Sequence, residues 1–236
     1  MRPLMLVTAF ICNLLGCGQI IELHAATKDF NASERNEKAL LRYLWPVLKS
    51  SGKVGRVYYQ IACQSHEEQL ISFPQVIVKP PIDGHTGYAA IRDIFRDDKR
   101  VSAVEDESGV VRIRIGNVPD TILGTKISAL SLSSMEQYNY AFAIGATLNA
   151  PEVQTVIRQI GFHRPSIPYT MLVVQPSNDE PHVLARMTNV SVDHELDAIA
   201  AAFKGIIFYG ICPRSRLFNV FFVGGVNFDD RSLGAR

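Results

Sequence analysis

The stretch from His182 to Gly224, HVLARMTNVSVDHELDAIAAAFKGIIFYGICPRSRLFNVFFVG, limits the fold more than any other part of the chain. It reads as strand, helix, strand, strand. Ser191 is placed to cap a helix whose apolar positions Val192, Leu196, Ile199, Ala200 and Phe203 fall on one stripe. Asp193 and Glu195 lie in the first turn of that helix, Lys204 in the last, and Gly205 follows as the expected stop. The runs GIIFYGIC and LFNVFFVG then supply two strands rich in Ile, Phe and Val, joined by the turn-like CPRSR.

The earlier chain carries related patterns. Asn31 to Ser33 offers a cap for a helix over residues 34–49, with Leu40, Leu41, Leu44 and Leu48 on its apolar face and Pro46 expected to kink or shorten it. Residues 54–63 alternate as a strand. Residues 70–78 suggest another, placed at an edge by Pro74. Thr86 opens a short helix with Ile91 and Ile94 inward, and a hairpin follows over 101–115. An offset of 105 residues lays Thr86 on Ser191, Ile91 on Leu196 and Val101 on Ile206, which predicts a structural repeat. Between the copies, Ser133 with Glu136 forms a capping box for a helix to Asn149, and a second helix runs from Pro151 to Gly161. The expected class is α+β, with two strand-helix-strand-strand units at 76–115 and 182–224, a helical insert, and an N-terminal helix plus strand. The corresponding regions are a leader at 1–18, an α+β unit at 27–116, the insert at 117–165, the last unit at 166–224 and a polar tail at 225–236.

The start of the chain reads as an address. Arg2 and the apolar run from Leu4 to Leu15 have the form of a signal peptide, too short for a membrane span of about 20 residues. Leu14-Leu15-Gly16-Cys17 resembles a bacterial lipobox, which implies lipidation of Cys17; ordinary cleavage after Gly18 or near Ala25 is the alternative. The expected location is therefore periplasmic, anchored to the outer membrane, or secreted, with membrane attachment only through an N-terminal lipid. Of the remaining cysteines in an exported body, Cys63 and Cys212 both end apolar strand-like segments. They are placed either to form a disulfide or to stay as separate buried thiols. With 24 basic and 23 acidic side chains, the net charge of +1 argues against a nucleic-acid partner.

Asn189-Val190-Ser191-Val192, followed by Leu196, Asp197, Ile199 and Ala200, resembles the STN module, the short N-terminal domain of secretins and TonB-dependent receptors. In that module a short strand step leads into a helix that packs on a small sheet. Neither a secretin barrel region nor a receptor plug and barrel follows here. The resemblance therefore implies an isolated envelope module that binds another envelope protein, with no catalytic residues to carry over.

Motifs for chemistry are sparse. The six histidines form no HExxH, no Cys-x-x-Cys exists, and no metal or cofactor is expected. Ser50-Ser51-Gly52-Lys53 fits Ser-x-x-Lys, yet Gly52 marks a helix end rather than a helical turn joining serine to lysine. A hydrolytic site would have to be assembled from scattered groups, His182, His194 and Asp193 among them. The leading expectation is a non-enzymatic protein-binding or assembly module acting through a sheet edge or an aromatic face. A secreted hydrolase and a small-ligand carrier are the alternatives. Tyr58, Tyr209 and Phe221 are the expected binding face, the competing expectation being a sheet covered on both sides by helices.

Overall fold

The computed structural model describes residues 17–60, 73–164 and 180–224, with side chains from residue 34 onward. Residues 1–16, Cys63, the strand-like YTMLVV and the tail lie outside the described residues. Helix α1 spans Cys17–Ser51 and β1 spans Val54–Gln60. Then come α2 (Gly87–Ile94), β2 (Val101–Glu105), β3 (Val110–Ile115) and β4 (Lys126–Ser131). The helical insert is α3 (Ser134–Gln137), α4 (Tyr140–Asn149) and α5 (Pro151–Ile160). The chain ends in β5 (Arg186–Ser191), α6 (Val192–Phe203), β6 (Gly205–Cys212) and β7 (Leu217–Gly224). The class is α+β.

A five-stranded mixed sheet in the order β2-β3-β1-β6-β7 is the frame, and β4 pairs with β5 in a separate antiparallel ribbon. Strand β1 runs parallel to β3 and to β6, and each of these belongs to a hairpin. Strands from the expected first and last units thus share one sheet. Period-two alternation sends Val57, Tyr59, Val111, Ile113, Ile206 and Phe208 to one face, where α1 and α2 supply Leu40, Leu44, Leu48 and Ile91. The opposite face presents Tyr58, Ile207, Tyr209 and Phe218 to Leu196, Ile199 and Ala200 of α6 and to the insert. On the first face, Gly210 makes room for the Tyr59 ring. A β-carbon there would sit 2.4 Å from the Tyr59 ring, so only glycine fits beneath it.

Several expectations need correction. The repeat is not reproduced: residues 76–78 form no strand, and the two hairpins attach to β1 differently. In the first, the later strand β3 adjoins β1; in the last, the earlier strand β6 does. Helices α2 and α6 also pack on opposite faces. Similar amphipathic patterns specify similar local elements, but they do not say which strand of a hairpin finds a neighbour. Helix α1 continues through both the Asn31–Ser33 cap and Pro46, with no other proline or glycine between residues 19 and 51 to stop it. The Ser133 capping box forms as expected but closes only the short α3, and Asn139 then caps α4 with its side chain. At the end of α6, Lys204 itself takes the left-handed conformation, at φ 51°, and Gly205 begins β6.

Candidate functional site

Two places gather chemically active groups. The first lies under α6. Arg56 on β1 and Arg112 on β3 are paired neighbours in the parallel ladder, which sets two guanidinium groups side by side on the α6 face. Asp193 and Asp197, one helical turn apart on α6, meet them. Arg56 is fully buried; its Nη1 donates to Asp197 Oδ1 at 2.7 Å and to the Asp193 carbonyl at 2.8 Å, and its Nη2 to Asp193 Oδ1 at 3.0 Å. Arg112 Nη1 donates to Asp193 Oδ2 at 3.0 Å and to the Tyr58 hydroxyl at 2.7 Å, and Tyr58 donates onward to Asp193 Oδ1 at 2.9 Å. Arg112 also bonds Asp197 Oδ2, and Asp106 from the β2–β3 turn closes the group at 3.0 Å. Burial pushes the Asp197 carboxyl up and the arginines pull it back. Two arginines meet carboxylates with matched hydrogen bonds, so this assembly locks a helix to a sheet.

The second place is a cleft of about 780 Å³ along β7, the outer strand of the sheet among the described residues. The five consecutive residues from Phe218 to Phe222 line it, which only the open edge of a strand can offer, because alternate side chains point to opposite faces. Helices α4 and α5 form the other wall through Tyr140, Phe142, Gly145, Ile157 and Arg158. Tyr140 stacks on Phe222 with ring centroids 4.4 Å apart. At the start of β7 the edge is already occupied: His163 N donates to the Arg216 carbonyl at 2.8 Å, and Phe218 N donates to the His163 carbonyl at 3.0 Å. Because Phe218 points its N–H outward, Val220 and Phe222 do so too, and neither finds a backbone partner on that side among the described residues.

The expected binding face is not assembled. Tyr58 and Tyr209 are fully buried beneath α6 and the insert, while Phe221 packs on the other side of the sheet, stacked on Phe208 at 4.8 Å. Helices cover both faces, and coverage removes those tyrosines from solvent. Nor does the fold join the candidate hydrolytic groups. The Asp193 carboxylate is taken by Arg56, Arg112 and Tyr58, His194 is exposed on the outer side of α6, and the His182 ring lies tilted against Tyr138 with centroids 5.0 Å apart. The Ser50 and Ser51 hydroxyls bond the Val47 carbonyl, and Lys53 pairs with Glu105. Cys212 is buried and disulfide-bonded, and its expected partner Cys63 lies outside the described residues. Cys17 is the first residue of α1.

Sequence reasoning passes over Arg56, Arg112 and the cleft residues Gly145, Arg158 and His163. A charged residue inside the otherwise apolar VGRVYYQ, beside an i,i+4 aspartate pair elsewhere, is the available signal for the first group. No comparable signal marks the cleft, whose walls come from separate elements. Among the described residues no cluster of His, Cys, Asp and Glu could hold a metal, and no helix is long and apolar enough to cross a membrane. Comparison with protein-family models, curated proteins and solved structures finds no match.

Proposed function

We propose that this chain is a non-enzymatic binding or assembly module, exported to the cell envelope, that takes an extended segment of another envelope protein onto the free edge of β7. The observation that carries this reading is the meeting of two edge residues, Val220 and Phe222, that have no outward backbone partner among the described residues, with an aromatic-lined cleft running beside them. Main-chain groups offer affinity to any extended guest, and pockets beside an edge select its side chains. The STN-like pattern of β5 and α6 points to the same class, a module whose work is to bind. The leader-like start and Cys17 support an envelope location, with a lipid at Cys17 as the anchor.

The test is crosslinking in the native envelope, followed by mass spectrometry of the affinity-purified full chain. One dominant envelope partner, crosslinked near β7 or α5, is the expected result, together with a lipid-modified Cys17. A chain recovered soluble, unmodified and without partners would sink the reading. The volume of the cleft favours a second reading, a carrier of a small apolar ligand, since binding pockets span roughly 300–1,000 Å³. Native mass spectrometry showing a co-purified small molecule would select it.

A further inference from the structure

The β7 cleft has a polarity, and that polarity restricts what can enter it. At one end His163 already holds the edge beside Leu217 and Phe218. An added strand pairing with Val220 and Phe222 meets this residue, so its pairing with β7 ends there. The same end is basic. Arg158 stands in the last turn of α5, three residues before the left-handed cap Gly161, and His163 follows two residues later. Both line the cleft, and no aspartate or glutamate does. The Arg158 Nε donates to the Gln154 carbonyl at 3.2 Å, and its two terminal nitrogens bond no other described residue. The amides of Asn149 and Gln154 stand in the same wall.

We infer that the guest is the C-terminal end of a protein chain, lying antiparallel to β7 with its terminal carboxylate beside Arg158 and His163. This rests on the edge-docking reading and deepens it. A guest continuing past this point would have to turn out of the sheet at His163, whereas a chain end fits without turning. A parallel guest would bring its N-terminal amine to a basic wall, whereas an antiparallel guest brings a carboxylate, which guanidinium groups bind through paired hydrogen bonds. The residues before the terminus then lie against Val220, Phe222 and Tyr140, which asks for apolar side chains there.

The experiment pans two random peptide libraries against the purified full chain, one displayed with a free C-terminus and one displayed with a free N-terminus. Enrichment from the free-C-terminus library, with apolar residues near the end, is expected. The strongest peptide is then measured by fluorescence anisotropy as free acid and as C-terminal amide. The amide should bind roughly tenfold weaker or worse, the size expected for losing a charge-assisted bond. Arg158→Gln should bring the acid down to the amide's level and leave the amide unchanged. Gly145→Leu serves as the blocking variant: Gly145 lines the cleft, a β-carbon there meets nothing within 4 Å, and leucine suits a helix better than glycine. It should abolish binding of both forms. Enrichment only from the free-N-terminus library, or equal binding of acid and amide that Gly145→Leu still blocks, would overturn the carboxylate inference and leave edge docking standing. Peptides that bind Gly145→Leu as well as the parent chain would overturn edge docking itself, as would enrichment from neither library.

Discussion

Glu195 is the residue whose surroundings agree least with its chemistry. It lies in the first turn of α6, fully buried, and neither carboxyl oxygen has a hydrogen-bond partner. Burial pushes its pKa up to about 7. In the unfolded chain it titrates as an ordinary glutamate near about 4.3, so the two states bind different numbers of protons between those values. A raised carboxyl pKa means that the folded state keeps a proton the unfolded state has lost. Stability therefore falls as pH rises from about 4.3 to 7, by up to ~1.4 kcal/mol per pH unit, and then levels off. Glu195→Gln should flatten this slope and leave the variant more stable than the parent at pH 8. Urea unfolding at a series of pH values from 4 to 8 would measure it. An unchanged slope in the variant would show that Glu195 reaches solvent.

Among the elements, α6 carries the most constraint. Ser191 accepts from the His194 amide as the N-cap, the apolar stripe meets Ile207 and Tyr209, and Asp193 and Asp197 reach across to the two arginines. The ion pairs do not make the helix; the cap and the stripe do that. They determine where it sits on the sheet. Removing one carboxylate leaves Arg56 buried beside an incomplete set of acceptors, and breaking a buried pair of this kind costs about 3–5 kcal/mol. Asp197→Asn should accordingly lower stability by an amount in that range, read from the shift in denaturant midpoint. An Arg56→Met, Asp197→Leu double variant should recover part of the loss, because apolar groups of similar volume carry no desolvation cost. Equal stability of the single variant and the parent would mean that water replaces the lost acceptor. Asp197 thus has a structural task.

For the whole molecule, the central strand β1 joins two hairpins that come from distant parts of the chain, β2–β3 and β6–β7. Cys212, at the end of β6, is buried in the core shared with α1 and is disulfide-bonded. The Ser215 hydroxyl and amide approach its sulfur at 3.2 and 3.5 Å, which fixes the β6–β7 turn around it. A bond across a long loop restricts the unfolded chain and stabilises the fold by about 2–5 kcal/mol. Reduction, or Cys212→Ser, should lower the guanidinium midpoint correspondingly. Peptide mapping without reductant should recover Cys212 joined to Cys63. Recovery joined to Cys17 would reject that pairing and would also remove the lipid anchor.

Local elements are legible in the amino-acid order alone: the capped α6 with its β6–β7 hairpin, the Ser133 capping box, and α5 bounded by Pro151 and Gly161. Each depends on neighbours three or four residues away, or on the two-residue alternation of a strand, so the order of residues carries the information directly. The length of α1 is not legible in this way. A cap-like cluster and a proline stop a helix only when nothing downstream sustains it, and the leucine face packed on the sheet does. Which strand of each hairpin adjoins β1 depends on contacts between residues more than 50 positions apart, and no periodicity encodes that choice. The candidate site belongs to this second category. Phe221 and Tyr209 are plainly aromatic, but whether an aromatic faces solvent depends on which helix lands above it. The β7 cleft is basic at one end and walled by α4 and α5 because three separate elements converge there. The order of residues determined the elements and their apolar faces; only their convergence decided which strands lie at the edges of the described sheet and which edge has a cleft beside it, because an edge is a property of the assembled sheet.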